Sequence, residues 1–579
     1  MSQDATKVTG TVTMAPRSDC AIMDRPPAAS VQHGIPPMQV QAPLAQGMVC
    51  APQPYAVDAA VDVLARGGNA VDAVITAGLA QGVVSPHMCG LGGYLVATIH
   101  QPGSSAPASV DAPALAGSET FPDMWADRFE RFGPTGWGYI LRDQVNDCGY
   151  TSICVPGSVK GMHQMHQRWG SLPWADLFEP ATDLAEGGWR MMDRTARVWQ
   201  RWPEAPGGVS PLEVVQRNPE ASRIFLTKTG KPPLVNQPVS NPDYGTSLRH
   251  VAKFGAEDFY RGEMKERMAA DLEANGSFVT AGDLEAYALP PSVPVCGSFK
   301  GWDVSSSAPP HGGATVVAIL NIMERLCTEP GLEPDSPRYL YLLAMAMKAA
   351  FADRNPHMAD PAFEAVPTDW MMDPARADHW VDIIQRGDPI KVSFQPQGSK
   401  DTTHVSVVDR QGLCVSLTHS LGSASGVVTP GMGFMYNNSM VNFHPLPGHP
   451  NSIAPGKGRT TGMSPTIVTR GGLPRLVLGA PGSTMIITSV AQVLLNSLLW
   501  GMNVKEAVDA PRLDCQGNLI RMHARFPRKT VERIANMHPA ERTGHSRGGF
   551  AIVHAIAIDE AGSVTGVADP GADGMAVAV

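Results

Sequence analysis

The sequence predicts an α+β protein in which two stacked sheets lie between layers of helices. Three observations lead there. Between about residues 155 and 380 apolar residues recur mainly at helical spacing, as in "NPDYGTSLRHVAKFGAEDFYRGEMKERMAADLEANGSF". From residue 402 the pattern changes to short β-type runs parted by Gly or Pro turns. A long apolar run, "TMIITSVAQVLLNSLLWGM", then interrupts the strands, and a late strand, "FAIVHAIAID", follows it. Each sheet must bury a face and each helix a stripe, so this order suits sheets covered on their outer faces by helices.

The elements follow in order. Residues 1–37 are rich in Pro, Ser and Ala without period and are expected to form a mobile tail. "PYAVDAAVDVLARGG" has helical spacing and ends on two glycines suited to a left-handed stop. "NAVDAVITAGLAQGVVSP" predicts a second helix, rich in small residues and so closely packed, and "HGGATVVAILNIMERL" belongs to the helical half. "IIQRGDPIKVSFQPQGSKD" is polar and is expected as an exposed connection. Beyond it, "THVSVVD", "LCVSLTHS", "GFMYNN", "SPTIVT" and "PRLVLGAPG" predict strands. "NVKEAVDAP" predicts a short helix opened by Asn503, with Glu506 three residues on as a capping box.

Composition narrows the function. With 579 residues, 43% hydrophobic and 17% charged, the chain can bury a large core. A net charge of −9 and the lack of Lys/Arg runs give no footprint for nucleic acid or a membrane surface, so a small-molecule substrate is expected. The N-terminus lacks a signal-peptide pattern and no long apolar span follows, which makes the cytoplasm the expected compartment. Nine cysteines without a CxxC pair are expected to be reduced, and no metal, nucleotide or flavin motif is present, so no cofactor is expected.

"GSKDTTHVSVVDRQG" places two threonines and a histidine where the long connection meets the first strand. A threonine hydroxyl is a weak nucleophile until a base takes its proton, and its own α-amine can be that base if the chain is cut before it. Such an amine titrates near pH 7.7–8.0, close to working pH. Thr402 could make that cut itself by attacking the Asp401 carbonyl. The same residues also read as β-branched positions opening a strand, and spacing leaves both readings open.

Ordered blocks along nearly the whole chain resemble the γ-glutamyltranspeptidase family of N-terminal nucleophile hydrolases. They include "GGNAVDAVITAGLAQGVVSPHMCGLGG", "VPGSVKGMHQMHQRWGSLPWADLFEPATDLAEGGW", "SAPPHGGATVVAILNIME", "DTTHVSVVD", "NNSM", "GMSPTIV" and "LGAPGSTMIITSVAQVLLN". The resemblance implies an αββα sandwich and a precursor cut between Asp401 and Thr402. Fragments 38–401 (after the tail) and 402–579 would then associate as a heterodimer. It implies Thr402 as nucleophile, Ser420 as the second hydroxyl, and the amides of Gly482 and Ser483 as the oxyanion hole. It also implies hydrolysis or acyl transfer of a small amide or peptide, as in glutathione metabolism.

Substrate contacts depart from the family pattern. Where relatives have a carboxylate-binding arginine, this chain has "VDAPALAG", with Pro113 or its neighbour at that position. The amine-binding Asp and Asn fall on Val441, beside Asn442, and on Gly422. A paired serine becomes Thr461 and Gly462. Arg459 is a candidate to meet a distal carboxylate, with a solvated surface arginine as the alternative. These changes favour an acyl group other than ordinary γ-glutamyl, as in cephalosporin (glutaryl-type) acylases or oxamate amidohydrolase.

Rival readings are a silent binding or structural member and a serine hydrolase using "GHSRG" at Ser546. The second lacks the strand-before, helix-after context that such a motif needs. Cys89 in "PHMCG" reads as buried packing beside a histidine. An active member runs on denaturing gels as fragments of about 400 and 180 residues, and Thr402→Ala as one uncut chain; an uncut wild-type chain would favour the silent scaffold.

Overall fold

Twelve short strands, most of them apolar, β-branched or small in composition, make the frame. In this computed structural model, which describes residues 44–132, 138–201, 208–393, 401–544 and 549–579, they form two six-stranded sheets. The expected N-terminal tail and Ser546 lie outside the described residues. In chain order the strands are β1 (Met48–Ala51), β2 (Tyr94–His100), β3 (Ala108–Ala112), β4 (Val295–Phe299), β5 (Trp302–Ser306) and β6 (Thr403–Val408). β7 (Cys414–Ser420), β8 (Thr466–Arg470), β9 (Leu473–Gly479), β10 (His554–Ile558), β11 (Val564–Ala568) and β12 (Met575–Ala578) complete them. The first sheet runs β12-β1-β6-β7-β2-β3 and the second β11-β10-β9-β8-β5-β4, with antiparallel neighbours throughout.

Strand parity sorts side chains into layers. Thr403, Val405 and Val407 of β6 turn to helices α1 (Pro54–Ala65) and α2 (Ala70–Val84), where Val405 and Val407 join a core with Val74, Ala77, Val415 and Leu417. Asn69 caps α2 in a capping box with Asp72. The second sheet buries Val304, Val468, Leu476 and Leu478 against α3 (Gly313–Leu326), α4 (Pro337–His357) and α5 (Met485–Leu498). Between the sheets lie Cys50, Val408, Cys414, Ile467, Val477 and Ile556. Polar threads cross the same gap: the Ser416 hydroxyl donates to the Leu478 carbonyl and the Thr98 hydroxyl to that of Pro465, each at 2.8 Å. The result is an αββα sandwich.

Three expectations need correction. Residues 155–380 are mainly helical as expected, but that stretch also supplies β4 and β5, and β1–β3 before it are not among the expected strands; β1 and β2 are buried along their whole length and so show little of the polar–apolar alternation that marks a strand in sequence. "GFMYNN" is no strand: only Tyr436 forms an isolated bridge, to Gly92, and the two asparagines turn inward to backbone partners. Cys296 is disulfide-bonded, whereas seven other cysteines are free.

Burial keeps several imidazoles neutral. His87, His419 and His554 are each pushed down to about 3, from 6.5, by desolvation. The unfolded chain takes up these protons near pH 6.5 and the folded chain only near pH 3. Stability is therefore fully present above about pH 6.5 and lost as pH falls toward 3. The urea midpoint of an uncut Thr402→Ala chain should fall between pH 7 and pH 5; a midpoint constant over that interval would contradict the neutral, buried imidazoles.

Candidate active site

Pairing of β6 with β7 sets Thr403 opposite His419 and His404 opposite Thr418. Thr402, just before β6, therefore meets Ser420, the last residue of β7. Their hydroxyl oxygens lie 3.1 Å apart, and both residues are buried. Thr403 is tied to the helical layer through Gln53 and Gln81, each at 3.1 Å.

The hydrogens around Ser420 can be assigned by counting. Its hydroxyl has one proton, which goes to the Asp401 carbonyl oxygen at 2.7 Å, a group that can only accept. The Gly422 N–H donates to the same hydroxyl oxygen at 2.8 Å. Thr402 must then donate its own proton to Ser420. A chain of hydrogen bonds thus runs from the Thr402 hydroxyl through Ser420 to the carbonyl oxygen of the peptide preceding Thr402. The Asp401 carboxylate is held by Arg201 at 2.7 Å. His87 lies in the field of Asp401 and Arg201 and packs edge-on against Trp199. Cys89 is buried, its thiol pushed up by desolvation, in line with a packing role.

Gly482 and Ser483 form the turn between β9 and α5. Gly479, where β9 ends, approaches the His404 ring so closely that a Cβ there would lie 2.3 Å from the imidazole. The turn therefore continues from the His404 row toward the Thr402 end of the sheets. Gly482 has φ +139°, and a Cβ on it would lie 2.6 Å from Ala551 Cα; Ser483 has φ +58°, a left-handed conformation rare for serine. Among the described residues the N–H groups of Gly482 and Ser483 have no acceptor. Free amides at the N-terminal end of a 14-residue helix suit a developing negative charge.

Arg459 is not a solvated surface residue: it is 5% exposed. Its guanidinium stacks 4.6 Å from the Tyr94 ring centre, bonds the Tyr94 hydroxyl and donates to the Thr460 carbonyl at 3.1 Å. Tyr94 is the cross-strand partner of Ser420. No carboxylate pairs with Arg459 among the described residues, and burial pushes its guanidinium down to about 9. Pro113 lies nearby, since a Cβ on Gly458 would be 3.7 Å from the Pro113 Cβ. The chain that lacks an arginine at 113 therefore brings one in near it from the segment before β8.

The remaining candidates divide. The Thr461 hydroxyl lies 2.7 Å from His311 Nδ1, and His311 Nε2 is 3.0 Å from the Asp111 carboxylate. That carboxylate favours a proton on Nε2, leaving Nδ1 to accept from Thr461. Arg354 clips the His311 and Thr461 carbonyls together at 3.1 and 2.8 Å. Gly462 is a packing glycine, for its Cβ would lie 2.2 Å from the Ser483 carbonyl oxygen. Gly422 has φ +85° and would set a Cβ 2.2 Å from Asn438 Oδ1. No described contact joins Asn442 to the Thr402–Ser420 pair; its carbonyl accepts from Asn451 at 2.7 Å. Sequence reasoning missed Tyr94, Arg201, His311 and Asp111. Of these only Tyr94, following a glycine pair, stands at the start of a legible apolar run. Among the described residues no cluster of His, Cys, Asp and Glu could hold a metal ion, and no helix is long and apolar enough to cross a membrane.

The Gamma-glutamyltranspeptidase family model matches residues 56–579. This chain belongs to that family. It is accordingly an enzyme of the N-terminal nucleophile hydrolase type. It is 32% identical over 540 residues to the acylase ACY 1 proenzyme of Pseudomonas sp. (strain V22), covering 92% of this chain and 94% of that one. It is 31% identical over 528 residues to the glutathione hydrolase proenzyme of Escherichia coli (strain K12), covering 85% of each. The fold matches cephalosporin acylase from Bacillus halodurans with a TM-score of 0.79 at 24% identity, over 95% of this chain and 98% of that one.

Ser420→Ala leaves the Asp401 carbonyl without its donor and should slow self-cleavage by about 10²- to 10³-fold, the loss typical of one oxyanion donor. Ser420→Thr keeps the hydroxyl and should cleave at a comparable rate to the parent. A time course on denaturing gels reads both, and equal rates for Ser420→Ala and the parent would exclude this use of the hydroxyl.

Proposed function

We propose that this protein is an amidase that cuts itself before Thr402 and then removes a dicarboxylic acyl group lacking an α-amine, of the glutaryl or succinyl kind. The observation behind this reading is Arg459: a buried guanidinium without an acidic partner among the described residues, stacked on the tyrosine that pairs with Ser420. A buried charge without a counter-charge is costly, and the far carboxylate of a dicarboxylic acyl group would supply one. The positions that serve an α-ammonium in relatives offer nothing comparable. Val441 is apolar, and Gly422 carries no side chain. Burying an ammonium there would cost several kcal/mol. The acylase relatives at 32% identity support the same reading.

In the mechanism, the free α-amine of Thr402 takes the proton of its own hydroxyl as the oxygen attacks the amide carbonyl. The amides of Gly482 and Ser483 receive the oxyanion. The amine product leaves with that proton, an ester remains on Thr402, and water attacks it to release the acid. Ser420 stays beside the nucleophile, its hydroxyl now free of the Asp401 carbonyl and able to bond the new amine.

Processed protein offered glutaryl, succinyl, γ-glutamyl and butyryl anilides should turn over the two dicarboxylic amides fastest. Arg459→Met should lower kcat/KM for the glutaryl amide by about 10²-fold, equivalent to ~3 kcal/mol, through KM, and leave the butyryl amide nearly unchanged. A γ-glutamyl amide outpacing the glutaryl one, or equal losses on both glutaryl and butyryl amides, would overturn the acyl assignment.

A further inference from the structure

We infer that Arg201 is a positioning residue for self-cleavage, holding the scissile peptide through the side chain of Asp401; this rests on the reading that the chain cuts itself before Thr402. Attack requires the Thr402 oxygen to meet the face of the Asp401 carbonyl carbon, so the peptide plane has to be fixed on both sides. On the Thr402 side the ladder does this, with Thr403 opposite His419. The carbonyl oxygen is fixed by Ser420 at 2.7 Å. On the Asp401 side the anchor is the side chain, whose two carboxylate oxygens lie 2.7 and 2.5 Å from one Arg201 nitrogen.

The pairing is also chemically selective. Asp401 is buried at 4% exposure while Arg201 remains about a third exposed, so the arginine reaches in from the rim to a carboxylate that water scarcely touches. An Asp401 carboxylate released from Arg201 would be a stronger acceptor than a serine hydroxyl. It would compete for the Thr402 proton and turn the nucleophile away from the carbonyl. Arg194, half-buried, adds a second positive charge whose field acts on Asp401.

The step balances within the chain. A bond forms from Thr402 Oγ1 to the Asp401 carbonyl carbon and the Asp401–Thr402 C–N bond breaks. The hydroxyl proton ends on the new α-amine, and one water then opens the ester to give an Asp401 α-carboxylate and restore the Thr402 hydroxyl.

Arg201 could instead do no more than neutralise a buried charge, and a double substitution separates the two roles. Arg201→Met with Asp401→Asn leaves no charge to neutralise and no clamp. The full chain is made by cell-free synthesis and chased, and the half-time of conversion to two fragments is read on denaturing gels. Thermal melting of the same substitutions in a Thr402→Ala chain reports stability. Arg201→Met and the double variant should each cleave at least tenfold more slowly than the parent, with the double variant melting within a few degrees of it. Arg201→Lys, which returns a charged donor, should recover most of the rate. A double variant that cleaves at the parental rate overturns the inference. So does one that melts far below the parent, because misfolding then accounts for its rate. A wild-type chain left uncut before Thr402 would instead remove the underlying reading.

Discussion

Everything at this site depends on the single proton of the Ser420 hydroxyl. Because that proton goes to a carbonyl, and because Gly422 occupies a lone pair of the same oxygen, the Thr402 hydroxyl is left one orientation. The arrangement follows from register. Were β6 displaced by one residue against β7, His404 would turn to the helices and the threonine would lose its partner. The apolar rows that lock the register, Val405 and Val407 outward and Val408 inward, thus act on chemistry several residues away.

The end proposed for the substrate follows a different logic from the reacting end. Around Thr402 the partners are local: a neighbouring strand, a glycine turn, a helix terminus. Around Arg459 they come from distant parts of the chain, with Tyr94 on the first sheet and the arginine on the segment leading into β8. One part of the pocket can therefore exchange its charges without touching the other.

How much of this was legible in sequence depended on separation along the chain. Thr402, Ser420 and the Gly482–Ser483 turn could be named because a hydroxyl at a strand opening, a hydroxyl ending the next strand and a Pro-Gly turn before an apolar helix each have local signatures. Arg459 was named, but its burial was not, since nothing in "GKGRTTGMSPT" reveals that Tyr94, 365 residues away, lies under it. Arg201 could not be found at all, being 200 residues from its partner with no pattern around it. Gly422 and Gly462 appeared as lost side chains, whereas a Cβ at Gly462 would strike the Ser483 backbone and one at Gly422 would meet Asn438 Oδ1 from a left-handed backbone. The helical layers were readable from their period. The early strands were not, because strands covered on both faces have no solvent side to make them alternate.

The interleaving of strands from either side of residue 402 has a wider consequence. In the first sheet β1, from before the break, lies between β12 and β6, both from after it, and the second sheet likewise joins β8 to β5. Severing the backbone at Asp401 would remove covalent continuity but no interstrand contact. The pieces would not come apart on dilution, and one molecule's piece would not trade with another's, because parting them means melting both sheets. Maturation would convert one polypeptide into two while leaving a single cooperative body, for which dissociation and denaturation are the same event.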